Sequence, residues 1–199
     1  MSPDTPVGAD ERPPARREGG RSARVREAVF SAAAELIAEG GAERLSIPAV
    51  AARAGVNPTT VYRRWGDAAG LLRDVTANRL APHDPPPDTG TLRGDLSAWA
   101  AQTLGTITTT EGLALLRGSV ACAATSEGPS PRMAARESQL AAILAHAAER
   151  GDPHPTLRQT LDYLLAPLYL RVLLNLAPAD TAYADTLVDD LVRHYAKPD

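Results

Sequence analysis

The chain is 199 residues long and 44 % hydrophobic but only 4 % aromatic, enough for one sizeable domain or two small ones. Ala and Leu outnumber β-branched residues, which favours helices over sheets. The net charge of −3 argues against a nucleic-acid partner until its distribution is read: residues 12–80 carry 12 Arg against seven acidic residues, a net of +5, whereas residues 81–199 carry a net of −5.

Cys122 is the single cysteine, so neither a disulfide framework nor a cysteine metal pair is available, and a reducing cytoplasmic setting fits. The polar N-terminus has no apolar core of a secretory signal. The longest apolar run, Leu161–Leu176, holds Asp162, Pro167 and Arg171 and is too short to span a bilayer, so no membrane is expected as a partner.

Residues 1–21, rich in Pro, Gly, Arg and acids, lack apolar periodicity and are expected to be a disordered arm. Its arginines could follow a minor groove or be solvated. From Ser22 a helix is expected to Glu39, with Val25, Val29, Ala32 and Leu36 forming its stripe and Gly40 and Gly41 stopping it. Arg24 and Arg26 fall at that start, where a cation opposes the helix dipole and a nearby phosphate would relieve the conflict.

Residues 45–65 carry two helix starts around a tight turn. Ser46 is an N-cap followed by Pro48, and Ile47, Val50, Ala51 and Ala54 make one apolar face. Gly55 suits a left-handed C-cap. Asn57 caps a second helix beginning at Pro58, and Val56 can staple onto Val61. On that helix Pro58, Val61 and Trp65 are expected inward, with Thr59, Thr60, Arg63 and Arg64 outward and Tyr62 at the boundary. Arg reads guanine bidentately, Thr meets a thymine methyl or a phosphate, and Tyr donates to phosphate, so this face suits a DNA major groove. An ordinary helical hairpin with a solvated basic face is the plainer possibility. Helix, Gly-containing turn and helix is nevertheless the helix-turn-helix plan.

Asp67 then caps a connecting helix to Leu80. Four prolines between Ala81 and Gly90 break the pattern and mark a stiff connector. Beyond it helices are expected near 91–108, 111–124, 130–150, 156–176 and 180–195. The 156–176 segment is apolar on most sides and needs cover all round, within its own domain or from a partner subunit. Pro167 should kink it or free a carbonyl near Tyr163. Five parts follow: the arm 1–21, a DNA-reading domain 22–66, a connecting helix 67–80, a connector 81–90 and a helical body 91–199.

Residues 24–72 resemble the DNA-binding domain of the tetracycline-repressor (TetR) family of bacterial regulators. The likeness rests on the first helix Arg-Glu-Ala-Val-Phe-Ser-Ala-Ala-Ala-Glu-Leu-Ile-Ala-Glu-Gly-Gly, the turn Ala-Gly-Val, the core Thr-Val-Tyr and Leu71-Leu72. Residues 164–172 are similar to a penultimate helix of some actinobacterial members. The resemblance implies an all-α fold: an N-terminal three-helix helix-turn-helix domain and a larger C-terminal helical bundle. It implies a homodimer on the last two helices, with Leu168, Val172, Leu187 and Leu191 as interface candidates. It also implies a double-stranded operator as partner and a small-molecule effector held among the middle helices, and places the protein with the nucleoid in the cytoplasm. Carried over by position, Ser46 and Tyr62 match phosphate contacts, while Pro58, Thr59, Thr60, Arg63 and Arg64 occupy the groove-facing part, and Asn57 at the head of that helix is counted with the DNA-binding set. One departure stands out: the lysine usual near the start of the fourth helix is replaced by Ala68, followed by Ala69 and Gly70.

Pocket candidates are Trp99, Leu104, Leu115, Leu116, Leu140, Leu144, Tyr163 and Tyr169, which would give apolar walls with a few polar groups, although each also fits plain packing. No catalytic, metal or cofactor set gathers. His83, His146, His154 and His194 are scattered, no Gly-rich phosphate loop is present, and the adjacent Asp189 and Asp190 point to different helix faces. The reading is a ligand-responsive transcriptional regulator released from a palindromic operator. A sequence-neutral architectural DNA protein, or a helical small-molecule-binding protein or enzyme, are the alternatives.

Overall fold

A computed structural model describes residues 18–80, 85–123 and 131–195, and these are helical almost throughout. The amino-terminal head comprises α1 (Glu18–Gly40), a single 3-10 turn (Ala42–Arg44), α2 (Ile47–Ala54), α3 (Pro58–Trp65) and α4 (Ala68–Arg79). The body comprises α5 (Leu92–Ile107), α6 (Thr110–Ala123), α7 (Pro131–Glu149), α8 (Leu157–Thr160), α9 (Ala166–Leu173) and α10 (Thr181–Tyr195). The all-α fold of a helix-turn-helix domain joined to a helical body is therefore as expected.

The first helix starts earlier than its apolar stripe. Residues 18–21 are helical, so the expected arm is corrected there, and residues 1–17 lie outside the described residues. Arg24 and Arg26 consequently sit in the second and third turns, where the dipole no longer opposes them. Val29, Phe30, Ala33 and Ile37 are buried on the side facing α2, α4 and α6.

One continuous core runs through head and body. The join is α6, which packs on α1 and α4 of the head and on α5 and α9 of the body. Its Gly118 lies against Ala42 and Leu72 of the head. Of the connector, residues 81–84 lie outside the described residues. Its remainder is anchored by Asp95, fully buried in the first turn of α5. The Asp95 carboxylate accepts from the Thr89 hydroxyl at 2.8 Å and pairs with Arg150 at 3.1 Å, and Arg150 also holds Asp152 at 2.9 Å. A buried charge is retained only with such partners.

The expected helix over 156–176 is not uniform. Thr156 and Gln159 form a capping box at the start of α8. Before α9 the backbone widens into a π-helical turn, Leu161–Leu165. Pro167 supplies the cause, because its ring cannot donate and would press on the carbonyl four residues back. The helix then ends at Leu173: Asn175 takes a left-handed φ of 53°, and the Leu176 N–H donates to the Arg171 carbonyl at 2.9 Å, a six-to-one closure.

Leu164, Leu165, Leu168, Tyr169 and Val172 face inward. Leu168 and Leu191, expected at a dimer interface, are fully buried in the protomer's own core, where α8 packs on α7, α9 on α6 and α10 on α5. Val172 is likewise buried and Leu187 half-buried. Between residues 156 and 176, the large apolar groups left outside are Tyr163, Leu170, Leu174 and Leu176.

Candidate nucleic-acid interface and effector cavity

Each helix of the DNA-reading pair is started by a side chain. The Ser46 hydroxyl accepts from the Ala49 N–H at 3.3 Å, and the Asn57 side-chain oxygen accepts from the Thr59 N–H at 2.8 Å. Gly55 between them is left-handed at φ 66°, and the Val56 N–H donates to the Ala51 carbonyl at 3.0 Å, closing a Schellman turn. Arg53 fixes α2 to α1 through two bonds to Glu39, at 2.6 and 3.1 Å; this hydrogen bonding holds the Glu39 carboxyl below its ordinary pKa.

Only Val61 and Trp65 bury the inner side of α3. Trp65 meets Phe30 at 6.0 Å, and its indole N–H donates to Asp74 at 3.0 Å, tying α3 to both α1 and α4. Pro58, expected inward, is exposed instead. At the first helical position it projects beyond the core that Val61 reaches. Thr59, Tyr62, Arg63 and Arg64 are exposed and Thr60 is half-buried. Tyr62 is 49 % exposed, a large cost in apolar area for a side chain with no partner to cover it.

The two arginines at the end of α3 differ. Arg64 donates to the Ser22 hydroxyl at 3.2 Å and lies over the Trp65 ring at 5.1 Å. Arg63 forms no hydrogen bond or ion pair among the described residues and is free to reach outward. Arg26 rests over Phe30 at 5.7 Å, and Arg24 is exposed on the same stretch of α1. Behind them, Asp67 caps α4 by accepting from the Gly70 N–H at 2.7 Å. A side chain at Gly70 would collide with the Trp65 carbonyl, so the residue is dictated by that close approach.

In the body, a cavity of about 340 Å³ opens between α6, α7 and the α8–α9 rod. Leu116 and Tyr169 are the pocket candidates that line it. Leu115 lines a separate cleft beside Arg79 and Leu80. Trp99, Leu104, Leu140 and Leu144 are core side chains instead, buried where α5 and α7 meet. Tyr163 is 48 % exposed on the outer surface, stacked on Tyr195 at 4.6 Å.

Two residues of this region escaped the sequence reading. Arg132 and Arg136 on α7 are buried, with their guanidiniums over Tyr169 at 5.0 Å and Trp99 at 5.8 Å. Burial holds Arg136 below its ordinary pKa. The available signal was their spacing: four residues apart, they share a face with Gln139, Leu140 and Ile143, which are all buried. Gln139 accepts from the Trp99 indole at 3.0 Å.

Comparisons with known proteins agree with this architecture. The family "Bacterial regulatory proteins, tetR family" matches residues 29–75, and "Tetracyclin repressor-like, C-terminal domain" matches residues 86–191. The HTH-type transcriptional regulator AqdR of Rhodococcus erythropolis is 32 % identical over 158 residues, covering 78 % of this chain and 75 % of the relative. A DNA-binding transcriptional repressor TetR of Mycobacteroides abscessus is 38 % identical over 72 residues, 36 % of this chain and 38 % of the relative. Among solved structures, the TetR family transcription regulator SCO0332 superposes with a TM-score of 0.64 at 28 % identity, covering 87 % of this chain and all of the other. A TetR regulator from Agrobacterium tumefaciens gives 0.65 at 22 % identity, covering 87 % and 94 %, a likeness of fold alone. From its two capped reading helices to its helical body, the chain belongs to the TetR family of helix-turn-helix transcriptional regulators, typically ligand-responsive repressors and not enzymes.

Proposed function

We propose that this regulator is a homodimeric repressor that holds a palindromic operator and leaves it when a small molecule fills the cavity between α6, α7 and α8–α9. The observation that carries the DNA side is α3 itself. A helix that buries only Val61 and Trp65 presents Thr59, Tyr62 and Arg63 outward, on the half of the chain whose net charge is +5. Arg63 and Thr59 read base edges, and Thr60 supports them from the half-buried edge. Tyr62, Arg24, Arg26 and the hydroxyl proton of Ser46 serve phosphates, and Pro58 meets the groove wall. Asn57 acts as the cap that aims α3 rather than as a reader. Arg64 braces the helix and reaches the backbone from that position.

Pairing through the outer face of α8–α10 would bring Tyr163, Leu170 and Leu174 under cover and set two reading helices about one DNA turn apart, roughly 34–36 Å. The described residues contain no helix long and apolar enough to cross a membrane. The cytoplasmic nucleoid is the proposed site of action.

Operator selection from random duplexes with the purified chain tests the reading. A recovered palindrome bound with a high specificity ratio supports it. Enrichment of no sequence, with steep salt dependence alone, would instead identify an architectural DNA protein.

A further inference from the structure

Among the described residues, Arg132 is a cation without an anion. It is 5 % exposed, and its Nε and one terminal nitrogen are fully buried with no hydrogen-bond partner. Among the described residues no carboxylate lies within ion-pair distance of it. The Tyr169 ring lies beneath the same guanidinium and lines the same cavity, and its hydroxyl is buried beside Arg136 without a hydrogen bond of full geometry among the described residues. One turn further along α7, Arg136 adds a second buried cation that meets only neutral groups among the described residues: the oxygens of Gln139 at 3.3 Å and Leu80 at 3.5 Å, the Trp99 ring and the Tyr169 side chain. Two guanidiniums four residues apart, both out of water, are unfavourable unless negative charge joins them.

The cavity shows where that charge enters. Arg132 and Tyr169 line it, and its other walls include Leu116, Val120, Leu165 and Leu173. Glu137 and Asp162 also line it. Asp162 is exposed and engaged with Arg158 at 3.6 Å, so a second negative charge on the ligand would meet acids. We infer that the effector is an organic monocarboxylate on an apolar body, its carboxylate seated on Arg132 with the Tyr169 hydroxyl donating to it. A guanidinium fork and a phenol are matched to a planar carboxylate, and aliphatic walls to a hydrocarbon or aromatic body.

This rests on the reading of the chain as ligand-responsive, and the test separates the two. Full-length protein is titrated calorimetrically with decanoate and 1-naphthoate, with the matched neutral amides, and with inorganic phosphate. The same series is then added to the complex with the selected operator. At least one acid is expected to bind below about 1 mM, with its amide at least about tenfold weaker. Arg132→Met should abolish that difference, and its unliganded melting temperature should equal or exceed that of the unaltered protein, because a buried unpaired charge has been removed.

A marked fall in the melting temperature of Arg132→Met would make Arg132 a structural cation and overturn the inference. So would equal binding of acid and amide, the absence of acid binding, or a preference for phosphate. Acid binding that leaves the operator complex intact would uphold the carboxylate site and sink its role in release. Operator release by the amides alone would do the reverse.

Discussion

The Arg64 guanidinium donates to the Ser22 hydroxyl at 3.2 Å, joining the last turn of α3 to the first turns of α1. One of the two arginines at the end of the reading helix is therefore partly a brace, while its neighbour Arg63 is uncommitted among the described residues. Arg63→Ala is expected to cost about 1–3 kcal/mol on the preferred operator and to flatten preference at one base pair. Arg64→Ala and Tyr62→Phe should weaken all duplexes alike. Fluorescence anisotropy over single-base operator variants distinguishes the patterns; equal losses for Arg63→Ala on every duplex would remove it from base reading.

Gly70 sets a second expectation. Its missing Cβ admits the Trp65 carbonyl, so Gly70→Ala should force α4 away from α3 and cost about 1–3 kcal/mol in denaturant unfolding. Ala69 is exposed one residue earlier, beside Ala68 where the resemblance implies a lysine, and can carry a cation in its place. Ala69→Lys is expected to tighten binding to any duplex and to steepen the salt slope by about one unit. An unchanged slope would mean that the start of α4 does not approach the backbone.

Buried Asp95 makes a third test. Asp95→Ala leaves the Thr89 hydroxyl without its carboxylate acceptor and Arg150 with Asp152 as its remaining close carboxylate, and a loss of about 1–3 kcal/mol is expected. The double variant with Arg150→Ala should cost less than the sum of the singles, since the two residues share one network. Additive losses in thermal unfolding would show that the pair contributes nothing jointly.

Assembly is the fourth. Leu170→Glu with Leu174→Glu is expected to give a folded monomer by sedimentation, with operator affinity falling as the second head is lost. Leu168→Ala should instead lower stability by about 2–5 kcal/mol without a specific effect on mass, because that side chain fills the protomer core. A dimer that survives both charges would place the interface elsewhere.

The head was legible in sequence because its signals are local. Ser46, Asn57 and Asp67 each begin a helix by hydrogen bonds reaching two or three residues ahead, so spacing alone exposes them. The start of α1 was not legible: residues 18–21 are helical, but the sequence Glu-Gly-Gly-Arg offers no apolar stripe for periodicity to find. In the body the difficulty is different. Leu168 and Leu170 look alike in a row of leucines, yet one is buried and the other is open, which depends on how α8–α10 pack. Arg132 and Arg136 resemble surface charges by residue type, and only the aromatic rings brought from α5 and α9 reveal otherwise. Asn175 stops α9 through a left-handed φ that several other polar residues could have supplied.

The position of α6 has a mechanical consequence. Leu116 and Val120 look into the cavity, while Gly118, on the same two turns, touches Ala42 and Leu72 of the head. On the proposed reading the signal would have only the thickness of one helix to cross, on the order of 10 Å, through a rod able to slide or tilt as a unit. No relay of side chains is required. On the proposed reading, a guest that wedges α6 outward would displace the floor on which α1 and α4 stand and so convert occupancy into head spacing.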